Sequence, residues 1–153
     1  MYKIMKAIPI NILLVVLFAF SCGTKTTQTT ENAADTSAVA ASSAKLEVLY
    51  FHSTNRCVTC NAVENNAKKL LEEKYKTELD NGTIKFTSYN VDDEVNKPLA
   101  EKYQISFSTL LIVNKAGAGE VKTDFTDIAF QYARTDPEKY AELLTTEIDK
   151  NLK

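Results

Sequence analysis

The chain has 153 residues, of which 44% are hydrophobic and 25% charged, a composition typical of one globular domain with no sign of a second core. The formal net charge is −2, and the lysines and arginines form no cluster along the sequence. Because affinity for a phosphate backbone comes from clustered basic side chains, this charge pattern argues against a nucleic-acid partner.

The first 21 residues have the pattern of an export signal. Lys3 and Lys6 provide a positive start, residues 8–20 form an apolar run, and Cys22 follows a small residue. The segment resembles a bacterial lipoprotein signal, which implies that residues 1–21 are removed and that Cys22 becomes the lipidated first residue. A plain secretory signal is the alternative. A retained membrane helix is disfavoured, because the apolar run is shorter than the ~20 residues that span a bilayer.

A tether follows the predicted signal. Removal of residues 1–21 leaves 16 basic and 20 acidic residues, and therefore a formal charge of −4. Residues 22–44 are rich in Thr, Ser and Ala and have no periodic apolar face. Such a segment buries too little surface to offset the entropy of ordering, so we predict a disordered tether with a reach of roughly 25 Å. The predicted folded domain spans residues 45–153.

The first predicted element of this domain is the apolar strand Leu46–His52, which should be covered on both faces. Apolar residues at helical spacing then predict an amphipathic helix of about five turns from Cys60 to Leu79. Gly82 should follow the end of this helix, because glycine suits the left-handed backbone position found there.

Alternating strands and helices make up the rest of the predicted domain. They are a strand at Thr83–Val91, a short helix at Pro98–Tyr103, strands at Thr109–Val113 and Val121–Phe125, an irregular or helical stretch at Ile128–Ala133, and a helix from Asp136 to Leu152. This order predicts a mixed four-stranded sheet with helices on both faces.

Two cysteines, Cys57 and Cys60, lie between the first strand and the first helix. At a helix N-terminus the N–H groups and the helix dipole favour a thiolate, so we expect the pKa of Cys57 to lie within the ~3.5–7.5 range of such sites. Arg56 adds a positive neighbour. We therefore predict Cys57 as the nucleophile and Cys60 as the resolving thiol. A structural disulfide is the weaker interpretation, since closing so short a loop restrains the unfolded chain little.

The element order and the CxxC position resemble the thioredoxin fold, a three-layer α/β/α sandwich, from about Leu46 to Leu152. More narrowly, Tyr50-Phe51-His52, Arg56-Cys57-Val58-Thr59-Cys60, the lipoprotein start and the Ser-Thr-Leu-Leu strand entry look like a small Bacteroidetes family. Its members are ArsF-type lipoproteins, named as subunits of a nitrophenyl-compound nitroreductase, and they accompany arsenical-resistance genes.

Two positions depart from the thioredoxin pattern. Ser108 stands where thioredoxins place a cis-proline that faces the disulfide, which disfavours general dithiol exchange and favours capture of a soft metal or metalloid. Phe51 replaces the buried acid of thioredoxins. Glu64, one helical turn after Cys60, is a candidate proton acceptor, although an exposed surface glutamate is the favoured interpretation.

His52 is the sole histidine, five residues before Cys57. With Cys57 and Cys60 it would form a zinc or copper site, but a hydrogen-bonded residue at the strand end is the favoured interpretation. Phe107 and Phe130, with Tyr132, are candidates for the rim of the thiol groove, although core positions are favoured for all three.

These observations favour an oxidoreductase of the thiol–disulfide type, anchored in the bacterial cell envelope and facing the periplasm or the surface. It would need no cofactor beyond its redox-active disulfide, and its partners would be the membrane, through the lipid, and a redox protein or a thiol-reactive small molecule. The narrow resemblance implies an electron-relay subunit in arsenical resistance or nitroaromatic reduction. The alternatives are a dithiol protein that binds arsenite or a soft metal, and a non-catalytic accessory subunit.

Overall fold

A four-stranded mixed sheet forms the centre of the protein in a computed structural model that describes residues 43–153. Its strands are β1 (Leu46–His52), β2 (Ile84–Asn90), β3 (Thr109–Asn114) and β4 (Val121–Asp124), and their order is β2-β1-β3-β4. β2 runs parallel to β1, whereas β3 is antiparallel to both β1 and β4. The predicted mixed sheet is confirmed, and this order with these directions is the thioredoxin-like arrangement.

Five α-helices and one 3₁₀ turn surround the sheet within the described residues. They are α1 (Val58–Lys74), α2 (Lys76–Asp80), the 3₁₀ turn Glu94–Asn96, α3 (Lys97–Tyr103), α4 (Thr126–Tyr132) and α5 (Pro137–Leu152). The predicted last helix is present as α5, and the Asp136 side chain caps it by accepting a hydrogen bond from the N–H of Lys139. The stretch Ile128–Ala133, predicted as irregular or helical, lies mostly within the helix α4.

The central strand β1 separates two apolar clusters, because its side chains alternate between the two faces of the sheet. On one face Val48 and Tyr50 lie in the larger cluster, which also holds the buried sides of α1, α4 and α5. On the other face Leu49 and Phe51 lie in a smaller cluster with Tyr103 of α3. β1 is buried along nearly its whole length, as the apolar strand predicted.

One predicted element differs: the helix expected to continue to Leu79 breaks at Tyr75. The backbone there leaves helical geometry (φ −123°, ψ 27°), and α2 begins at the next residue. The Tyr75 ring is buried, and its hydroxyl donates a hydrogen bond of 2.6 Å to Asp149 on α5. The buried position of this side chain against α5 accompanies the break. Gly82 has φ +76°, the left-handed conformation that its position predicted.

The predicted signal peptide, the lipidation of Cys22 and most of the tether lie outside the described residues. Among residues 43–153, no helix combines the length and the hydropathy that a bilayer-crossing helix needs.

Candidate functional site

Cys57 and Cys60 form a disulfide at the point where β1 leads into α1. Cys57 is the N-cap of α1 in an extended conformation (φ −77°, ψ 164°), and its Sγ accepts a hydrogen bond of 3.0 Å from the N–H of Cys60. This cap satisfies one of the N–H groups that a helix start leaves without a partner. Cys57 is exposed, whereas Cys60 is only 8% exposed. An incoming sulfur can therefore reach Cys57 more easily than Cys60.

The loop before Cys57 is held by the turn that follows β2. The N–H of Thr54 donates to Oδ2 of Asp92 at 2.7 Å, and the Asn90 side chain donates to the Thr54 hydroxyl at 3.0 Å. The N–H of Val91 also donates to the carbonyl of His52 at 2.8 Å. Hydrogen bonds from Thr54, above all from its backbone, hold the pKa of the Asp92 carboxyl below its usual value. In this structure Asp92 thus fixes the cysteine loop.

Tyr50 lies buried on β1 beneath the start of α1. Its hydroxyl donates a hydrogen bond of 3.0 Å to the carbonyl oxygen of Cys60. Burial raises the pKa of Tyr50, although hydrogen bonds with Arg56 and Ser108 partly oppose that rise. Tyr50 is therefore a buried residue near Arg56 and Ser108 whose hydroxyl is bound to the backbone of Cys60.

Glu64 is buried, so its interpretation as an exposed surface glutamate is wrong. It is 5% exposed, because it shares the inward face of α1 with Cys60 and Ala67 at helical spacing. Its carboxylate pairs with Arg56 and, at 2.7 Å, with Nζ of Lys68. Burial acts to raise the pKa of Glu64, but hydrogen bonds from Lys68 and Arg56 outweigh it and leave the pKa below its ordinary value. A carboxylate held in this way is a poor proton acceptor at neutral pH.

Arg56 lies directly before the nucleophile candidate, and its guanidinium makes two contacts. It pairs with Glu64, and its Cζ lies 5.5 Å from the centre of the Tyr50 ring. The side chain is mostly buried, with 23% of its surface exposed. The positive charge predicted beside Cys57 is therefore shared with a carboxylate, and stabilisation of a Cys57 thiolate by Arg56 stays a prediction.

Ser108 is half-buried at the start of β3, and the peptide bond before it is trans, since none of the bonds in the described residues is cis. Ser108 lines an open cleft of about 380 Å³. The other residues that line this cleft are Phe107, Thr126, Asp127 and Phe130. Phe107 is 66% exposed, so the core position favoured for it is wrong. Phe130 both packs against the core and lines the cleft, whereas Tyr132 only packs against the core.

His52 lies at the end of β1, and its Nδ1 is 2.9 Å from the carbonyl oxygen of Ser53. A carbonyl can only accept, so Nδ1 carries the proton in this contact. The favoured interpretation of His52 as a hydrogen-bonded residue at the strand end is confirmed. Within residues 43–153, no three His, Cys, Asp or Glu side chains are grouped so that they could hold a metal ion. The structure does not bring His52 together with the two sulfurs.

Sequence reasoning missed Tyr50 and Lys68 as parts of this site. Tyr50 carried a usable signal, because a tyrosine inside a mostly apolar strand that is covered on both faces needs a partner for its hydroxyl. Lys68 follows Glu64 by four residues, a spacing at which opposite charges meet on a helix. The burial of Glu64, the partner of Lys68, was the missing information.

No protein-family model matches the chain, and no curated protein matches it. Among solved structures, the germline-specific thioredoxin Deadhead from Drosophila melanogaster is similar, with 22% identity, coverage of 72% of this chain and 84% of that chain, and a TM-score of 0.47. Mitochondrial thioredoxin 3 from Saccharomyces cerevisiae is 15% identical, with coverage of 59% and 76% and a TM-score of 0.39. Chloroplastic thioredoxin z is 23% identical, with coverage of 60% and 80% and a TM-score of 0.39.

These similarities carry no argument about function, and the fold assignment depends on the strand order and directions described above. The chain has a thioredoxin-like fold, with a Cys57–Cys60 disulfide at the N-terminus of the helix that follows its first strand.

Proposed function

We propose that this chain is a thiol–disulfide redox protein that uses Cys57 as the nucleophile and Cys60 as the resolving thiol. The observation that carries the proposal is the asymmetry of the disulfide at the start of α1, where Cys57 is exposed and Cys60 is buried. Sγ of Cys57 also accepts a hydrogen bond of 3.0 Å from the N–H of Cys60. A backbone donor and the positive end of a helix dipole both favour a thiolate at this sulfur.

The exchange transfers two electrons through one mixed disulfide. In the reducing direction, a partner thiolate attacks Sγ of Cys57, a new S–S bond forms, and Cys60 leaves as a thiolate that takes up a proton. The second thiol of the partner then attacks the mixed disulfide and releases Cys57. The protein disulfide is reduced to a dithiol while the partner dithiol is oxidised to a disulfide. In the opposite direction, the Cys57 thiolate attacks a disulfide and Cys60 resolves the adduct.

The proposal includes an envelope location and a relay role. A lipid on Cys22 would anchor the chain, and residues 23–44 would give the redox domain reach from the membrane. The resemblance of the residues around the CxxC to ArsF-type lipoproteins supports an electron relay in arsenical resistance or nitroaromatic reduction. The partner would be a redox protein or a thiol-reactive small molecule.

A dithiol trap for arsenite or a soft metal ion is the second candidate. The observation that favours it is Ser108, which leaves a hydroxyl rather than a proline ring near Tyr50, the residue whose own hydroxyl contacts the backbone of Cys60. Such a trap would use the two sulfurs alone. Titration of the reduced protein with arsenite, and separately with Zn²⁺, distinguishes the candidates: tight stoichiometric binding without turnover of a model disulfide would favour the trap.

Redox cycling of the purified domain tests the first candidate. The protein is equilibrated with mixtures of reduced and oxidised glutathione, and the gain of two hydrogens is followed by mass spectrometry. We expect Cys60→Ser to accumulate a mixed disulfide with glutathione at Cys57, because nothing resolves it. Cys57→Ser should accumulate far less, since Cys60 is buried. Equal adduct formation by both variants, or a wild-type pair that never cycles, would contradict the proposal.

A further inference from the structure

Three alternating charges lie on α1 and on the residue before Cys57. The carboxylate of Glu64 is the centre, with Arg56 on one side and Lys68 on the other. The side chain of Glu64 is 7% exposed, that of Arg56 23% and that of Lys68 47%. Arg56 and Lys68 together outnumber the carboxylate, so this cluster has a net charge of +1.

The cluster is connected to Cys57 through the chain and to Cys60 through side-chain contacts. Arg56 precedes Cys57 in the chain, and its guanidinium lies over the Tyr50 ring. The hydroxyl of that same ring donates to the carbonyl of Cys60. Glu64 therefore contacts Arg56, Arg56 contacts Tyr50, and Tyr50 is bound to the backbone of Cys60.

Charge in this cluster acts on the two redox states unequally. A disulfide is neutral, whereas the reduced pair carries a negative charge when Cys57 is a thiolate. The positive charge of Arg56 would stabilise that thiolate and so favour the reduced form, while the negative charge of Glu64 would oppose it. Glu64 is seven residues from the helix cap at Cys57, roughly 10 Å along the axis. At an effective dielectric constant of about 20, a unit charge at that distance changes an equilibrium roughly tenfold.

We propose that Glu64 is a positioning residue that sets the redox equilibrium of the Cys57–Cys60 pair by directing the Arg56 guanidinium onto Tyr50 and offsetting its charge. This inference depends on the proposed function and deepens it, because it names the device that decides how strongly the disulfide oxidises its partner. Without the Glu64 carboxylate, the reduced form becomes more stable relative to the disulfide, and the disulfide becomes a stronger oxidant.

The test is the equilibrium with glutathione, in which the protein disulfide and two reduced glutathione molecules give the protein dithiol and one oxidised glutathione. We expect Glu64→Gln to shift this equilibrium about tenfold toward the dithiol, which corresponds to about 30 mV for a two-electron couple. Arg56→Gln should shift it in the opposite direction. The double variant should lie near the wild type, because it removes one charge of each sign.

Glu73→Gln is the matched control. Glu73 is on the same helix and pairs with Lys69 at 3.8 Å, but its side chain is 62% exposed and is more than two turns farther from Cys57. It should leave the equilibrium unchanged. A purely structural role of Glu64 would lower the melting temperature without moving the equilibrium of the folded protein.

The outcomes separate the two proposals. An unshifted Glu64→Gln equilibrium in a wild type that cycles would overturn the inference and leave the proposed function standing. A wild type that does not exchange with glutathione would overturn both. If Glu64→Gln does not fold, Arg56→Gln provides the test. An equilibrium with glutathione that is unshifted in Arg56→Gln, or shifted toward the dithiol, would contradict the assigned charge effect.

Discussion

At the scale of single residues, Glu64 shows how burial and pairing compete. Taking a carboxylate out of water is costly, and the cost is repaid only when cations and hydrogen bonds surround it. Arg56 and Lys68 provide both, and the pKa of Glu64 falls rather than rises despite the burial of its side chain. The ionised form of Glu64 is therefore more stable in the folded chain than in the unfolded chain.

This sign predicts how stability depends on pH. A carboxyl whose pKa is lowered by folding stabilises the protein above its unfolded pKa of ~4.3, and that contribution is lost as the pH falls through the folded value. We expect Glu64→Gln to lower the free energy of unfolding by about 1.5–3 kcal/mol at pH 7, since it removes hydrogen bonds to charged groups. The difference from the wild type should shrink between pH 5 and pH 3. Urea unfolding at both ends of that range measures it.

Glu73→Gln is the control for this experiment as well. Its ion pair with Lys69 is exposed, so its loss should change the free energy of unfolding by less than about 1 kcal/mol. Other carboxyls titrate in both proteins and cancel in the difference. A gap between Glu64→Gln and the wild type that widens on acidification would contradict the assigned direction of the pKa shift.

At the scale of elements, the connection from α2 to β2 depends on one left-handed residue. Gly82 has φ +76°, and its N–H donates to the carbonyl of Leu79 at 3.1 Å. A Cβ added at Gly82 would meet no atom within 4 Å, so crowding does not decide the effect of a substitution. We expect Gly82→Ala to lower the free energy of unfolding by about 1–2 kcal/mol, which is the cost of left-handed backbone for an L-residue.

Gly117→Ala provides the comparison, because Gly117 also has open space around its Cα but does not have a positive φ. It should leave stability unchanged or raise it by about 0.4–1 kcal/mol through the unfolded chain. Thermal and urea unfolding of the two variants side by side give the result. Equal losses at both glycines would mean that loop packing, and not backbone conformation, controls this turn.

The elements also show where sequence reasoning reaches its limit. β1 was predictable because a short β-rich run that is apolar apart from Glu47 favours a strand covered on both faces. The start of α5 was predictable because Asp136 and Pro137 act locally. The break at Tyr75 was not predictable in this way. It accompanies a hydrogen bond to Asp149, 74 residues later, which no local periodicity records.

The candidate site likewise has features that follow from local sequence and features that depend on long-range packing. Cys57 and Cys60 are only three positions apart, so their common place at the start of α1 followed from local patterns alone. The burial of Glu64 and the exposure of Phe107 depend on how α1 and the entry to β3 pack against the rest of the fold. Both were assigned to the wrong environment, because a charged residue on a helix and an aromatic residue near a strand have opposite average preferences.

At the scale of the whole molecule, β1 separates the start of the folded domain from the cysteine loop. β1 begins at Leu46, directly after the predicted tether, and ends at His52, just before the loop that carries Cys57. Seven strand residues extend roughly 23 Å, so the start of the described domain and the cysteine loop lie at opposite ends of β1. The tether predicted for residues 22–44 would join the folded domain at the end of β1 that is remote from Cys57.

Lipidation of Cys22 predicts how the full chain distributes between membrane and soluble fractions. Each buried methylene of an acyl chain contributes about 0.8 kcal/mol, so two or more chains on one cysteine hold a protein at a membrane without a spanning helix. We expect the full chain, expressed in a bacterial host, to incorporate labelled palmitate and to enter the detergent phase of a Triton X-114 separation. Cys22→Ala should do neither. A Cys57→Ser/Cys60→Ser variant should behave like the wild type, because its thiols take no part in anchoring; loss of label from that variant instead would place the lipid elsewhere and contradict the assigned role of Cys22.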